Sequence, residues 1–222
     1  MIISRGRAYI FVHIPKTGGT AMALALEARA MKDDILIGDT PKALRRRRRL
    51  KGANAAGRLW KHSTLADIEG LVGREEFDDF LIFTLVRNPW DRLVSLYHWL
   101  RAQAFDHPAV GRAKRLDFSG YLNAPETAAA LAANPYRAYL RDGGGVERAT
   151  HYVRIERFRD DIAPIEAHLG FALDLPRANA SERPDDYRAA FSDADAALVG
   201  QLCQDDIAAF GYRFDGPIGA AG

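Results

Sequence analysis

Two separate segments of the chain repeat one pattern, in which a short apolar run is followed by a polar turn and then by a helical stretch. The first segment has its apolar run at residues 8–14, turns through PKTGGT and continues as alanine-, leucine- and methionine-rich sequence over residues 20–31. The second has its apolar run at residues 80–86, turns through RNPW and continues as a helix from about Asp91. Apolar runs rich in β-branched and aromatic residues are typical of buried strands. Strands that alternate with helices predict an α/β fold with a mostly parallel central sheet flanked by helices.

Length and composition favour one globular domain. The chain has 222 residues, of which 48% are hydrophobic, enough for a single buried core. We expect one domain over residues 1–216 and a flexible tail over residues 217–222. The sequence also predicts a third strand at residues 151–155, a shorter helix that begins near Thr64, and a long helix over residues 193–210. Residues 105–145 have only weak periodicity and are expected to form short helices and loops.

Charge and cysteine content exclude several classes of protein. The formal net charge is only +2, from 31 basic and 29 acidic side chains, so neither nucleic acid nor an anionic membrane is an expected partner. The sequence shows no apolar run long enough to span a membrane and no signal-peptide pattern, which predicts a soluble, cytoplasmic protein. The single cysteine, Cys203, excludes an internal disulfide, and its apolar neighbours at helical spacing predict a buried structural thiol.

The turn at residues 15–20 has the composition of an anion site. It directs consecutive backbone N–H groups and a helix N-terminus at one point, and Lys16 adds a full positive charge there. Gly18 and Gly19 allow the backbone to turn and to approach a ligand, while Thr17 and Thr20 offer hydroxyl donors and a helix cap. Taken alone, the pattern also fits an ordinary strand-to-helix turn with an exposed lysine.

The second turn offers another anion site, because Arg87 directly follows an apolar strand. On the helix after it, Ser95 lies opposite a core stripe formed by Leu93, Leu96, Tyr97 and Leu100. The alternative is a surface serine and an arginine paired with Asp91. Two such turns at the carboxyl ends of strands in one sheet predict a ligand with two separated anionic groups.

The segments FVHIPKTGGT and LVRNPWDRLVSLYHWL resemble the sulfotransferases that depend on 3′-phosphoadenosine 5′-phosphosulfate (PAPS), in particular the branch with carbohydrate sulfotransferases and small bacterial relatives. The resemblance continues through KHSTLADI, RIERFRDD, LPRANAS and DIAAFGYRF. It implies a P-loop-like, three-layer fold. It also implies that residues 16–20 hold the 5′-phosphosulfate, that Arg87 and Ser95 hold the 3′-phosphate, and that Asn179 and Ser181 close over the nucleotide.

The reaction that the resemblance implies is in-line transfer of a sulfuryl group from PAPS to an acceptor hydroxyl, with a carbohydrate acceptor favoured over lipids, tyrosine peptides and small metabolites. We expect Lys16 to neutralise the leaving phosphate. His62 is the favoured base, because imidazole titrates near neutral pH and because His62 matches the position of a histidine in related carbohydrate enzymes. Glu69 and Glu75 are the alternatives, and His13 is expected to be a core or sheet residue. No metal is expected.

Other functions and one unexplained feature stay open at this point. A P-loop kinase or nucleotidase shares the strand, loop and helix, but its loop reads GxxxxGKS or GxxxxGKT, whereas here the lysine precedes the glycines. A non-catalytic nucleotide- or glycan-binding protein of the same fold is the second alternative. The five arginines at residues 45–49 fit a solvated helix face, a patch for an acidic acceptor, or nucleic acid binding. The sequence does not predict the exact acceptor or the oligomeric state.

Overall fold

The computed structural model describes residues 1–176 and 185–216. These residues divide into two compact units, one of residues 1–86 and 136–176 and the other of residues 87–135 and 185–216. The predicted tail at 217–222, and with it Asn179 and Ser181, lies outside the described residues. The prediction of one domain that ends at residue 216 stays a prediction.

All five strands lie in the first unit, and the second unit is helical. The strands are β1 (Ile2–Ser4), β2 (Tyr9–Val12), β3 (Ile35–Leu36), β4 (Leu81–Val86) and β5 (His151–Arg154). The helices are α1 (Gly19–Ala28), α2 (Pro41–Arg46), α3 (Arg74–Asp79), α4 (Pro89–Arg101), α5 (Pro108–Arg115), α6 (Phe118–Asn123), α7 (Pro125–Ala133), α8 (Phe158–Asp161), α9 (Ala163–Leu169), α10 (Asp193–Leu202) and α11 (Gln204–Phe210). Helices α1–α3, α8 and α9 belong to the first unit. None of the described helices is long and apolar enough to cross a membrane.

The sheet has the strand order β3-β1-β2-β4-β5 and is mixed. Strands β2, β4 and β5 pair in parallel, with Val12 opposite Thr84 and Phe83 opposite His151. These three strands are the ones that the sequence predicts, so the α/β class is confirmed. Strand β1 pairs antiparallel with both β2 and β3, which extends the parallel part by two short strands.

The core of the first unit lies on both faces of this sheet. On one face, Phe11 and Phe83 pack in one cluster with α1 and α9, which contribute Met22, Leu26 and Ile165. The opposite face is also closed to solvent, because its side chains are fully buried, namely Ile10, Val12, Ile82 and Val86. Burial on both faces explains why β2 and β4 read as continuous apolar runs rather than as alternating ones.

The core of the second unit forms around the first turns of α4. Trp90 and Val94 pack with Leu122, Tyr187 and Val199. The start of α4 is also tied to the end of the described chain. The Asn88 side-chain amide donates to the hydroxyl of Tyr187 at 3.2 Å and to the carbonyl of Arg213 at 2.9 Å, while the Tyr187 hydroxyl donates to the carbonyl of Phe214 at 2.6 Å.

Two predicted helices differ from the structure. The helix expected near Thr64 is wrong, because only one turn of 3-10 helix forms, at Ala66–Ile68. The capping signal that predicted it is present: the Thr64 N–H donates to Asp67 Oδ2 at 2.7 Å, and the Asp67 N–H donates to Thr64 Oγ1 at 3.2 Å. The chain leaves the turn because Glu69 is extended and Gly70 has a φ of 86°.

The predicted helix over residues 193–210 is divided at Cys203 into α10 and α11. Cys203 packs against the core of the second unit as a partly buried thiol, and burial raises its pKa to about 11. A thiol with this pKa is protonated and unreactive at neutral pH, as expected for a structural cysteine. The short helices predicted over residues 105–145 are present as α5, α6 and α7.

Candidate active site

The first predicted anion loop connects β2 to α1 and contains an unusual backbone conformation. Lys16 has a φ of 66°, in the left-handed region, and Gly18 follows with a φ of 87°. For a residue with a side chain this conformation costs about 1 kcal/mol or more. Strain of this kind is concentrated at functional positions. Gly18 bears the same sign of φ without a steric cost, because it has no Cβ atom.

Thr17 stabilises this loop from inside. Its side chain is fully buried, and its hydroxyl donates to the carbonyl of Ile14 at 3.0 Å. The hydroxyl is thus engaged within the loop, which leaves the backbone N–H of Thr17 as the group suited to bind a ligand. The predicted threonine cap of α1 is wrong, because Gly18 occupies the N-cap position and brings no side chain. The N–H groups in the first turn of α1 are therefore not satisfied by an N-cap side chain.

Both glycines of the loop lie against other side chains of the first unit. A Cβ atom on Gly18 would lie 2.3 Å from Cδ1 of Ile155, and a Cβ atom on Gly19 would lie 2.0 Å from Cδ2 of His13. A side chain at Gly19 would displace the His13 ring, and one at Gly18 would displace the end of Ile155 and be strained by the positive φ. The sequence suggested that the glycines allow a ligand to approach, and the structure adds that they allow Ile155 and the His13 ring to approach.

His13 links the glycine loop to the predicted base, His62. The His13 side chain is 6% exposed, and its ring lies 4.6 Å from the His62 ring, centroid to centroid. The His62 Nδ1 atom lies 2.7 Å from the carbonyl oxygen of His13. A carbonyl only accepts hydrogen bonds, so this contact assigns the imidazole proton to Nδ1 and leaves Nε2 with a lone pair.

Burial keeps both of these histidines neutral. It lowers the pKa of His62 to about 4, against the opposing effect of the hydrogen bond to His13. Burial also lowers the pKa of His13 well below its ordinary value, and nearby positive groups including Lys61 and Lys16 act in the same direction. At neutral pH, His62 therefore presents an unprotonated Nε2 atom, which is the state that a base requires.

The residues on both sides of His62 form a hydrogen-bonded turn. Ser63 is fully buried, and its Oγ atom accepts from the N–H of Trp60 at 2.9 Å and lies 2.8 Å from the carbonyl oxygens of Arg58 and Trp60. Lys61 forms an ion pair with Asp39 at 2.6 Å. His62 is thus fixed by the chain on both sides and by His13 through its ring.

The two carboxylates considered as alternative bases have other surroundings. Glu69 Oε1 accepts a hydrogen bond from the N–H of Gly143 at 2.7 Å, so Glu69 holds a neighbouring loop. Glu75 lies in the first turn of α3 with its side chain exposed. In the described part of the chain, neither carboxylate has a contact like the hydrogen bond that orients His62.

The second predicted anion loop begins directly after β4. Arg87 forms an ion pair with Asp91, with Nε at 2.8 Å and the terminal nitrogen at 2.7 Å from the same Oδ2 atom. The pairing that the sequence offered as an alternative for Arg87 is therefore present. Ser95 is only 3% exposed, so the alternative of a surface serine is wrong. Its hydroxyl makes no hydrogen bond to any residue within the described ranges.

The five arginines form the end of α2 and a turn of 3-10 helix at Arg47–Leu50. Arg46 donates to the carbonyls of Met31 and Asp34 at 2.8 and 3.1 Å, and Arg49 donates to the carbonyl of Lys32. All five except Arg46 are exposed. The three interpretations of this run stay predictions. Within residues 1–176 and 185–216, no group of three or more metal-binding side chains comes together.

Comparison with known proteins gives a family for this chain. Among solved structures, it is similar to the crystal structure of mouse sulfotransferase SULT7A1 complexed with PAP, at 14% sequence identity over 89% of this chain and 82% of that chain, with a TM-score of 0.46. No curated protein sequence matches it. A sequence profile described as the sulfotransferase family matches residues 1–137, which include both anion loops and His62. Because this match covers more than half of the chain, the protein belongs to the sulfotransferase family, whose members take their sulfuryl group from PAPS.

Proposed function

We propose that this protein transfers the sulfuryl group of PAPS to a hydroxyl of a carbohydrate, with His62 as the base and Lys16 as the cation that stabilises the leaving phosphate. The observation that carries the proposal is the chain of contacts from the glycine loop to His62. Gly19 packs against the His13 ring, and His13 holds His62 through its carbonyl. A loop suited to a phosphate and a neutral imidazole suited to accept a proton are thereby linked in one part of the first unit.

The donor would be bound at both ends. Lys16, Thr17, Gly18, Gly19 and Thr20 are proposed to hold the 5′-phosphosulfate through backbone N–H groups and the lysine ammonium. Arg87 and Ser95 are proposed to hold the 3′-phosphate. Support comes from the strand pairing, because β2 and β4 are parallel neighbours and both loops leave the sheet at carboxyl ends. Ser95 is a buried residue whose hydroxyl has no described partner, which fits a role as a donor to a ligand.

The residues of the site divide the chemistry between them. PAPS supplies a sulfuryl group bonded to a phosphate that leaves with the bonding electron pair. His62 accepts the proton of the acceptor hydroxyl at Nε2, while its Nδ1–H stays bonded to His13. The hydroxyl oxygen forms its bond to sulfur as the bond from sulfur to the phosphate oxygen breaks, and Lys16 stabilises the charge that develops on that oxygen. A donor positioned in this way typically lowers the activation barrier by a few kcal/mol.

The low pKa of His62 bears on the timing of these steps. With a pKa of about 4, the imidazole is too weak a base to remove the hydroxyl proton before the oxygen bonds to sulfur. We therefore expect proton transfer to accompany bond formation, when the acceptor oxygen becomes strongly acidic. The hydrogen bond from Nδ1 to the carbonyl of His13 stabilises the imidazolium that results.

A binding titration separates this function from that of a P-loop kinase. We expect the protein to bind adenosine 3′,5′-bisphosphate more tightly than ATP with magnesium. Tighter binding of ATP would refute the assignment. Lys16→Ala should abolish transfer and weaken binding of the bisphosphate. His62→Ala should abolish transfer and retain binding of the bisphosphate.

A matched control for His62 is His168, whose Nε2 atom also lies 2.7 Å from a backbone carbonyl, that of Arg7. His168→Ala should retain transfer. Labelled PAPS incubated with cell extract and the wild-type protein should label a glycan fraction. Transfer at the wild-type rate by His62→Ala would show that another group is the base, and label confined to lipid or peptide would refute the carbohydrate acceptor.

A further inference from the structure

An exposed aromatic side chain lies beside the proposed base. Trp60 is 42% exposed, although a tryptophan is usually largely buried because of its apolar area. Its ring lies 4.9 Å from the His62 ring, centroid to centroid, and the two planes are nearly perpendicular at 88°. An open indole next to a group that accepts a proton is suited to hold the molecule from which the proton comes.

A cation completes the arrangement. The guanidinium carbon of Arg58 lies 5.3 Å from the centroid of the Trp60 ring, within range of a cation–π contact. Arg58 is exposed and forms no ion pair with a carboxylate in the described part of the chain. Its positive charge is thus held beside the indole without a neutralising partner there.

The backbone that carries these side chains is fixed by Ser63. This serine is fully buried, and its hydroxyl contacts the carbonyls of both Arg58 and Trp60. The turn therefore presents Arg58 and Trp60 to solvent in a defined arrangement with His62. A backbone that is fixed in this way loses little conformational entropy when a ligand binds.

We propose that Arg58 and Trp60 form the acceptor subsite and that they select a sugar unit with an anionic group. The apolar face of the sugar lies on the indole, its carboxylate or sulfate bonds to the guanidinium, and its accepting hydroxyl lies toward His62 Nε2. An indole offers a large rigid apolar surface, and a guanidinium binds carboxylate and sulfate with two parallel hydrogen bonds. This inference rests on the proposed function, because it requires His62 as the base.

The test measures steady-state transfer from PAPS to a hexasaccharide of alternating glucuronate and N-acetylglucosamine, and to the same hexasaccharide with its carboxylates reduced to alcohols. Trp60→Ala should raise KM for both acceptors at least tenfold, and Trp60→Phe should recover most of this loss. Arg58→Gln should raise KM at least tenfold for the acidic hexasaccharide and less than twofold for the reduced one. Arg115→Gln, which removes an exposed arginine at the end of α5, is the matched control and should change neither KM.

The dissociation constant of adenosine 3′,5′-bisphosphate, measured by calorimetry on the same variants, distinguishes this inference from the proposed function. We expect it to stay within twofold of the wild-type value in all four variants. The subsite is refuted if Arg58→Gln and Arg115→Gln raise KM equally, if the reduced hexasaccharide is the better acceptor, or if a tyrosine peptide is preferred to both. If instead the wild-type protein neither binds the bisphosphate nor transfers sulfate to any acceptor, the proposed function itself is wrong.

Discussion

Acidification should destabilise this protein through His62, and the structure gives both the sign and the size of the effect. The folded state lowers the pKa of His62 from an ordinary 6.5 to about 4. Protonation therefore favours the unfolded chain, and the stability that depends on a neutral His62 is fully present above pH 6.5 and is lost as the pH falls toward 4. At 1.36 kcal/mol for each pKa unit, the full loss is about 3 kcal/mol, and partial exposure of the ring reduces it to about 2 kcal/mol.

The assay compares urea unfolding of the wild-type protein with that of His62→Asn between pH 7.5 and pH 4.5. Asparagine retains an N–H donor near the position of Nδ1, so the contact with the carbonyl of His13 can persist while the titrating group is removed. We expect the wild-type protein to lose about 2 kcal/mol more than the variant over this range. His13 titrates with the same sign in both proteins, so its contribution largely cancels. Parallel loss of stability in the two proteins would refute the buried, neutral state of His62.

Three further predictions concern the loops. Lys16→Gly should abolish transfer yet change the free energy of unfolding by less than about 1 kcal/mol. The reason is that glycine removes the strain of the left-handed backbone but has more conformational entropy to lose on folding. A larger loss of stability in urea unfolding would contradict the strain at Lys16. Gly19→Ala should destabilise the protein by about 1–3 kcal/mol and lose transfer, because the new Cβ atom would overlap the His13 ring. Gly38→Ala is the control: a Cβ atom there has its nearest contact at 3.8 Å, so stability and transfer should change little. Calorimetry on Arg87→Ala should show a far greater loss of affinity for adenosine 3′,5′-bisphosphate than for adenosine 5′-phosphosulfate, and equal losses would place Arg87 away from the 3′-phosphate.

The sequence predicts the three parallel strands of the sheet, and it does not predict the two short antiparallel strands. Strands β2 and β4 could be predicted from runs of apolar residues, because both of their faces are buried. Strand β5 is also parallel, but it lies at an edge of the sheet and buries only Val153. Strands β1 and β3 have only three and two residues, too few to show a periodic pattern. The capping signal at Thr64 was correct as a local contact, but the extended Glu69 and the left-handed Gly70 end the turn before a helix can form.

Within the candidate site, motifs predict the loops better than they predict the neighbours of those loops. Lys16 and His62 could be named from the resemblance to sulfotransferases. His13 was expected to be a core residue, and it is buried. Its hydrogen bond to His62 could not be predicted, because the two residues are separated by 49 positions. Arg58 and Trp60 belong to no motif. The signal that could have indicated them was an arginine and a tryptophan just before the predicted base.

Hydrogen bonds join the N-cap of α4 to residues more than 120 positions later in the chain. They connect Asn88 and Tyr187 to the carbonyls of Arg213 and Phe214. Asn88 is also the immediate neighbour of Arg87, and its side chain accepts the N–H of Trp90 at 3.1 Å. Proteolytic removal of residues 212–216 would take away two of these acceptors and the Phe214 ring that packs on Trp90. If Arg87 holds the 3′-phosphate as proposed, damage near residue 214 would lower the affinity for that group, even though no residue there needs to touch the nucleotide.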